Sequence, residues 1–292
     1  MRNIGKTTNR LTVSTQDFLF GKSSFRFLKS ITLLFIVILF VSCEDVFQVH
    51  PYDVRFNGET NINAHHIKEI EQRFRDKQTL RIALISDTHC WYSKTEDEIA
   101  DINSKNIDFV IHLGDLTNTG TTKEYEWARS TLDKLQMPYV ALIGNHDFLG
   151  TGEHCYDAMF GKKDFSFIAA RIKFVCLNTN ATEYDYISAV PNFDFMEREI
   201  VADTALFDRT VILMHAPPFN DQFNNNVVKA FQHYTSFFPK LMFCAYGHNH
   251  SQKISTFYDD GVIYYGTDCA KGRNYYIFTL TPNGYEYEIV DF

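Results

Sequence analysis

From residue 80 onward, short apolar runs alternate with longer amphipathic stretches. LRIALIS (80–86), IDFVIHL (107–113) and YVALI (139–143) are brief and rich in β-branched residues, and read as buried strands. Between them TEDEIADINSK (95–105) and KEYEWARSTLDKL (123–135) carry apolar positions at helical spacing. The pattern continues with RIKFVCLN (171–178), a helix near 193–203, TVILMH (210–215), a helix near 226–236 and LMFCAY (241–246). Repeated strand–helix–strand units predict an α/β fold whose parallel sheet is covered on both faces. Upstream, Ile62, Ile67, Ile70 and Phe74 place an amphipathic helix over 61–77, with Asn61 as its cap. Downstream, KISTFY, GVIYYG, NYYIFTL and YEYEIV, with a turn at Pro282-Asn283-Gly284, predict antiparallel strands. The pattern gives one domain over 79–292, preceded by an extension and helix over 44–78.

Composition adds little to this and excludes one class of partner. Of the 292 residues, 45% are hydrophobic and 22% charged, as in ordinary globular proteins, and 27 Phe with 16 Tyr suit a sheet-rich fold. The formal charge is −8; without residues 1–42, which hold six Lys/Arg and one Asp, 22 basic and 35 acidic residues remain, giving −13. No nucleic-acid binding is expected of such a surface. Phosphate chemistry would need local positive charge, and a metal supplies it.

The first 43 residues read as an address. Arg26 and Lys29 precede the apolar run 31–41, which is shorter than the ~20 residues that span a bilayer and fits a signal-peptide core. Phe40-Val41-Ser42-Cys43 resembles a bacterial lipobox, with Phe where Leu is usual. The expectation is an exported lipoprotein, held by lipid on Cys43 at the periplasmic face or cell surface; the alternative is an uncleaved membrane anchor. The other five cysteines are odd in number and form no CxxC pair, which argues against a disulfide framework.

Candidate chemistry lies at the strand ends. Asp87 and His89 follow the first strand, Asp115 the second, and Asn145, His146 and Asp147 the third. His215 ends TVILMH, and His248 and His250 follow LMFCAY. In an open α/β sheet, residues beyond the carboxyl ends of strands converge on one edge, where ligands bind. Imidazole and carboxylate together suit Zn, Fe and Mn. A pair of such metals can clamp a phosphoryl displacement, with a carboxylate bridging them. Each motif alone is weak, since Asp-x-His arises by chance in about a quarter of chains this long. Five of them, each at a strand end, form a much stronger signal.

The series D-x-H, G-D, G-N-H-D, H and G-H-x-H resembles the calcineurin-like metallophosphoesterase family across residues 80–270. The resemblance implies a four-layer α/β/β/α sandwich with two divalent metals, Mn, Fe or Zn, at the sheet edge. Asp87, His89 and His250 would hold the first, Asn145, His215 and His248 the second, and Asp115 would bridge. His146 would face the substrate as general acid, and a bridging water acidified by both metals would be the nucleophile. Asp147 is left as a cap or orienting partner.

One segment departs from the phosphoprotein phosphatase branch, whose motif is G-D-x-x-D-R-G. Asn118 stands where that branch has an Asp pairing with the catalytic His, and Thr119 where it has a phosphate-binding Arg. Losing the bidentate Arg favours monoanionic diesters over dianionic monoesters. The expected activity is therefore phosphodiester hydrolysis of a small-molecule or envelope substrate. A phosphomonoesterase or nucleotidase and a non-catalytic scaffold of the same fold are the alternatives. Among the remaining residues, His112 reads as a core histidine, His65 and His66 as solvated, and Cys90 as a bystander. Tyr264, Tyr265, Tyr275 and Tyr276 read as sheet packing, and Tyr246 and Asn249 as neighbours of the site.

Overall fold

The computed structural model describes residues 29, 31–32, 54–56, 58–184 and 189–292. The chain divides into two units, Met1–His50 and Pro51–Phe292. The signal segment and Cys43 lie outside the described residues. Among the described residues no helix is long and apolar enough to cross a membrane.

The second unit holds two sheets. The first combines β1 (Leu80–Ile85), β2 (Phe109–His112), β3 (Tyr139–Ala141), β10 (Asn274–Thr281) and β11 (Gly284–Asp291) in the order β11-β10-β1-β2-β3. The second combines β4 (Phe165–Ala169), β5 (Ile172–Leu177), β6 (Arg209–Met214), β7 (Leu241–Tyr246), β8 (Lys253–Ser255) and β9 (Tyr264–Gly266) in the order β4-β5-β6-β7-β9-β8. The chain also forms helices α1 (Ile62–Phe74), α2 (Tyr92–Ser104), α3 (Thr122–Leu132), α4 (Gly152–Met159), α5 (Ala181–Tyr184), α6 (Phe193–Val201) and α7 (Val228–Thr235).

Strand alternation sorts the side chains into layers. Leu80, Ile82 and Leu84 of β1 join Phe174 and Cys176 of β5, Val211 and Leu213 of β6 and Phe243 of β7 in the core between the sheets. Ala83 and Ile85, one residue out of phase, pack outward with Ile99 and Ile102 of α2 and Tyr125 of α3. On the far side Val175, Ile212 and Cys244 pack with Met196 of α6 and Phe231 of α7. This is the expected four-layer α/β/β/α sandwich. Each fully buried Phe contributes about 1.5–3 kcal/mol relative to exposure.

β1, β2 and β3 run parallel, as do β5, β6 and β7, so six carboxyl ends meet one edge of the sandwich. The C-terminal region differs from the expected antiparallel series in one pairing. β10 pairs antiparallel with β1 and β11, but β9 lies parallel to β7 and is antiparallel only to β8.

Asn61 does not cap α1: it is left-handed, at φ 53°, with no side-chain cap bond. Asn63 is the residue that matters there. Its amide donates to Ala141 O and accepts from Ala141 N, both at 2.9 Å, while His66 Nδ1 lies 2.6 Å from Tyr139 O. These side chains satisfy the open edge of β3 as a neighbouring strand would, which prevents further edge pairing. His66 is therefore half-buried against Tyr139, not solvated, while His65 is exposed as expected. His112 is a core histidine: its Nδ1 accepts from Gly114 N, its Nε2 meets Thr88 Oγ1, and burial lowers its pKa to about 3.

Candidate dinuclear metal site

The edge where the parallel strands end gathers all eight residues expected there. Asp87, His89, Asp115 and His250 bring ligand atoms within 4.8 Å of one another; so do Asp115, His215 and His248. Asp115 belongs to both groups. Its Oδ1 accepts from His146 N at 2.9 Å, which leaves Oδ2 facing His89 Nε2 at 3.5 Å and His215 Nε2 at 3.3 Å. Asn145 Oδ1 completes the second group, 3.1 Å from His215 Nε2 and 2.8 Å from His248 Nδ1.

Hydrogen bonds to carbonyl oxygens fix two tautomers. His89 Nδ1 lies 3.1 Å from Thr117 O and His215 Nδ1 2.8 Å from Leu113 O. A carbonyl only accepts, so Nδ1 carries the proton and Nε2 presents its lone pair inward. Those lone pairs meet carboxylate oxygens, an amide oxygen and one another; His89 Nε2 and His250 Nε2 are 3.1 Å apart. Acceptors converging in this way, each histidine oriented by its second nitrogen, fit cation binding. Asp115 shows the same balance. Burial opposes its charge, but His215 and His89 outweigh this and hold the carboxyl below its ordinary range. His215, despite burial, is pushed up to about 9 by Asp115, so its Nε2 takes up a second proton toward Asp115, and a cation at the site would stand in place of that proton.

The backbone is strained at these positions. Asp87, His89, Asp115, His248 and His250 all have left-handed φ, between 43° and 66°. Each costs of order 1 kcal/mol, which the surrounding contacts must offset. The glycines beside them allow close approach. A Cβ on Gly144 would sit 2.1 Å from Asp115 N, and one on Gly247 2.0 Å from Ser86 Oγ and 2.7 Å from Asp87 Oδ2.

Asp147 is the orienting partner. Fully buried, it accepts from Gly144 N, Leu116 N, Thr117 N and Thr117 Oγ1, tying the loop after β2 to the loop after β3. Burial and nearby Asp115 raise its pKa to about 7 against those four bonds. His146 is half-buried, its ring 4.7 Å from that of His89, and its Nδ1 lies 2.8 Å from Asn118 O. The partner of this imidazole is thus the backbone of Asn118, so the side-chain change at that position does not remove it.

Two rim residues escaped the sequence reading. Trp91 packs edge-on against His89 and His250. Asp221 Oδ1 lies 3.3 Å from His248 Nε2, on a loop after Pro217-Pro218 that also joins Asn220 Nδ2 to Asn249 Oδ1. Asn249 thus borders the site. Tyr246 does not: it is fully buried on the outer face of the second sheet, against Phe257. Cys90 is exposed and Cys155, Cys176, Cys244 and Cys269 are buried, and these five form no disulfide with one another. Tyr264, Tyr265, Tyr275 and Tyr276 are buried in the sheets, as packing requires.

Residues 80–252 match the calcineurin-like phosphoesterase family, and the chain belongs to it. It is 27% identical over 161 residues to a 3′,5′-cyclic-nucleotide phosphodiesterase of Nostoc sp., an alignment covering 50% of this chain and 59% of that protein. Among solved structures it resembles purple acid phosphatase from yellow lupin (TM-score 0.52, 14% identity, 74% of this chain and 54% of that one). It also resembles GAP50, the anchor in the inner membrane complex of Plasmodium (TM-score 0.55, 11% identity, 74% and 85%). A dimetal phosphatase from Danio rerio is a third such neighbour (TM-score 0.50, 11% identity, 74% and 99%). At these identities the structural likeness speaks for the fold alone. Family membership and two Asp/His groups that could hold metal are what the comparisons and the site give; the alignment spans 59% of the curated relative's length.

Proposed function

We propose that the protein is a dinuclear metal-dependent phosphodiesterase. The observation that carries this is Asp115, whose Oδ2 faces the histidines of both ligand groups. Asp87, His89 and His250 would hold one divalent cation (Mn, Fe or Zn) and Asn145, His215 and His248 the other. Bound there, two cations supply an acidified water and neutralise phosphoryl oxygens. The chain's own groups do the rest. Asp115 is held ionised for bridging, and Asp147 fixes the two loops that present Asp115 and Asn145. His146, with Nδ1–H anchored on Asn118 O, keeps Nε2 for a proton delivered to the leaving oxygen.

A diester preference is supported by the lack of protein cations. Among the described residues no Lys or Arg pairs with these eight side chains, and Thr119 donates to Glu124 where an Arg would serve a dianion. The cyclic-nucleotide phosphodiesterase relative points the same way.

The test is turnover of bis-p-nitrophenyl phosphate against p-nitrophenyl phosphate with Mn²⁺, beside Asp115→Asn and His146→Ala, with metal content measured. Diester turnover lost in both variants, with two metals per wild-type chain, supports the reading. Monoester preference makes the protein a phosphatase, and absence of metal sinks the mechanism. From the apolar run 31–41 and Cys43 we also infer a lipid-anchored location; Cys43→Ala should then release the protein from the membrane fraction.

A further inference from the structure

Trp91 is not among the groups that bind or protonate in this mechanism, yet it stands beside them. Its ring centroid is 5.4 Å from that of His89 and 5.7 Å from that of His250, near-perpendicular to both at 78° and 75°. The side chain is half-buried, with the remaining surface open at the rim. Its indole N–H has no hydrogen-bond partner among the described residues.

The residue is also held rigidly. Trp91 N donates to Thr88 O at 2.9 Å, and Trp91 O accepts from Lys94 N, Thr95 N and Thr95 Oγ1 at 2.9, 3.0 and 3.1 Å. It caps α2 without a side-chain bond of its own, so the backbone fixes where the ring starts and packing on His89 and His250 fixes how it lies. Among the described residues no Lys or Arg pairs with the eight site side chains, and Trp91 is the aromatic surface packed beside them.

We propose that Trp91 is the platform on which a planar aromatic substituent of the phosphodiester lies, making it a specificity-determining residue for nucleoside-type esters. This rests on the diesterase reading. A ring stacked on a fixed indole gains about tenfold or more in affinity, and the gain does not depend on which base it is.

The comparison uses two esters with one leaving group and one charge, p-nitrophenyl thymidine 5′-phosphate and p-nitrophenyl methyl phosphate, on Mn²⁺-loaded protein. Trp91→Ala should lower kcat/KM about tenfold on the thymidine ester, chiefly through KM, and leave the methyl ester within about twofold. Trp91→Phe should restore most of the loss. Equal losses on both esters, or an unchanged ratio, overturn the proposal: the first means Trp91 only buttresses His89 and His250, and metal content would fall with it. A second readout does not need turnover. The chain has two Trp, so in a Trp127→Phe background Trp91 is the sole indole reporter. Thymidine 5′-phosphate should quench its fluorescence and inorganic phosphate should not; quenching by neither, or equally by both, overturns the platform. If wild type turns over no ester, the diesterase reading fails, and the fluorescence still decides the platform.

Discussion

The Nδ1 atom of His146 lies 2.8 Å from the backbone oxygen of Asn118, not from its side chain. A carbonyl orients the imidazole and keeps its proton on Nδ1, as a carboxylate would, but adds no full negative charge. Asn118→Ala should therefore leave diester turnover within about threefold, whereas His146→Ala should lower kcat by 10²–10⁴. Steady-state kinetics on bis-p-nitrophenyl phosphate decide this. A large loss in Asn118→Ala would mean that the amide itself touches substrate.

The glycines before the ligands make a sharper prediction than their conformational freedom suggests. Gly144 and Gly247 are needed because neighbouring polar atoms occupy the space of a Cβ, with contacts near 2 Å on Asp115 and Ser86. Gly144 is the harder case: its nearest contact is the backbone nitrogen of Asp115, with the Asp115 carboxylate beside it, whereas at Gly247 the Ser86 hydroxyl can rotate away. Gly144→Ala should displace Asp115 and lower the metal bound per chain relative to wild type, measured by elemental analysis, with activity lost in proportion. Gly261→Ala, where a Cβ meets nothing within 4 Å but φ is 80°, controls for backbone strain without displacement of a ligand.

Asp147 tests how far the site depends on its support. Replacing it with Asn leaves the shape but turns one oxygen into an amide nitrogen facing backbone donors that cannot accept. With four donors on the carboxylate, Asp147→Asn should cost about 1–2 kcal/mol of stability at pH 7, the unmet donors outweighing the relief of a buried charge. Chemical denaturation should show this as a lower midpoint with unchanged slope. A midpoint unmoved would mean the loops after β2 and β3 hold each other without it.

Most of the fold was legible in the alternation of apolar runs and helical stretches, because β2, β3, β5 and β6 are buried on both faces and carry a continuous apolar signal. The hairpin β4–β5 was half hidden. Its two-residue turn is Ala170-Arg171, both left-handed at φ 50° and 60°, where Asn-Gly is the usual sequence signal. The parallel pairing of β9 was also hidden, since β8 lies outside it at the sheet edge and strand order does not follow chain order there. At the site, the eight polar residues stood out because each follows a strand. Trp91 and Asp221 did not, for they belong to loops whose course depends on tertiary contacts. Asp147 was visible as a cap or orienting partner, but the sequence did not choose between them, since its four donors come from two separate loops.

Asp164 carries a pH dependence that separates the second sheet's edge from the metal site. It accepts from Asn178 N, yet burial outweighs that bond and the nearby Lys163 and Arg198, raising its pKa from 3.8 to about 6. A carboxyl whose folded pKa lies above its unfolded value binds its proton more tightly in the native state. Its relative stabilisation is therefore fully present below about pH 3.8 and is lost as pH rises through about 6. A shift of this size corresponds to roughly 2–3 kcal/mol. Asp164→Asn removes the charge and retains an oxygen for Asn178 N. The variant's stability relative to wild type should thus grow by about 2 kcal/mol between pH 4 and pH 7. Urea denaturation of both proteins across that range gives the difference directly, with the other titrating groups common to the two. A gap that stays constant, or narrows toward pH 7, would show that Lys163 and Arg198 compensate the buried charge after all.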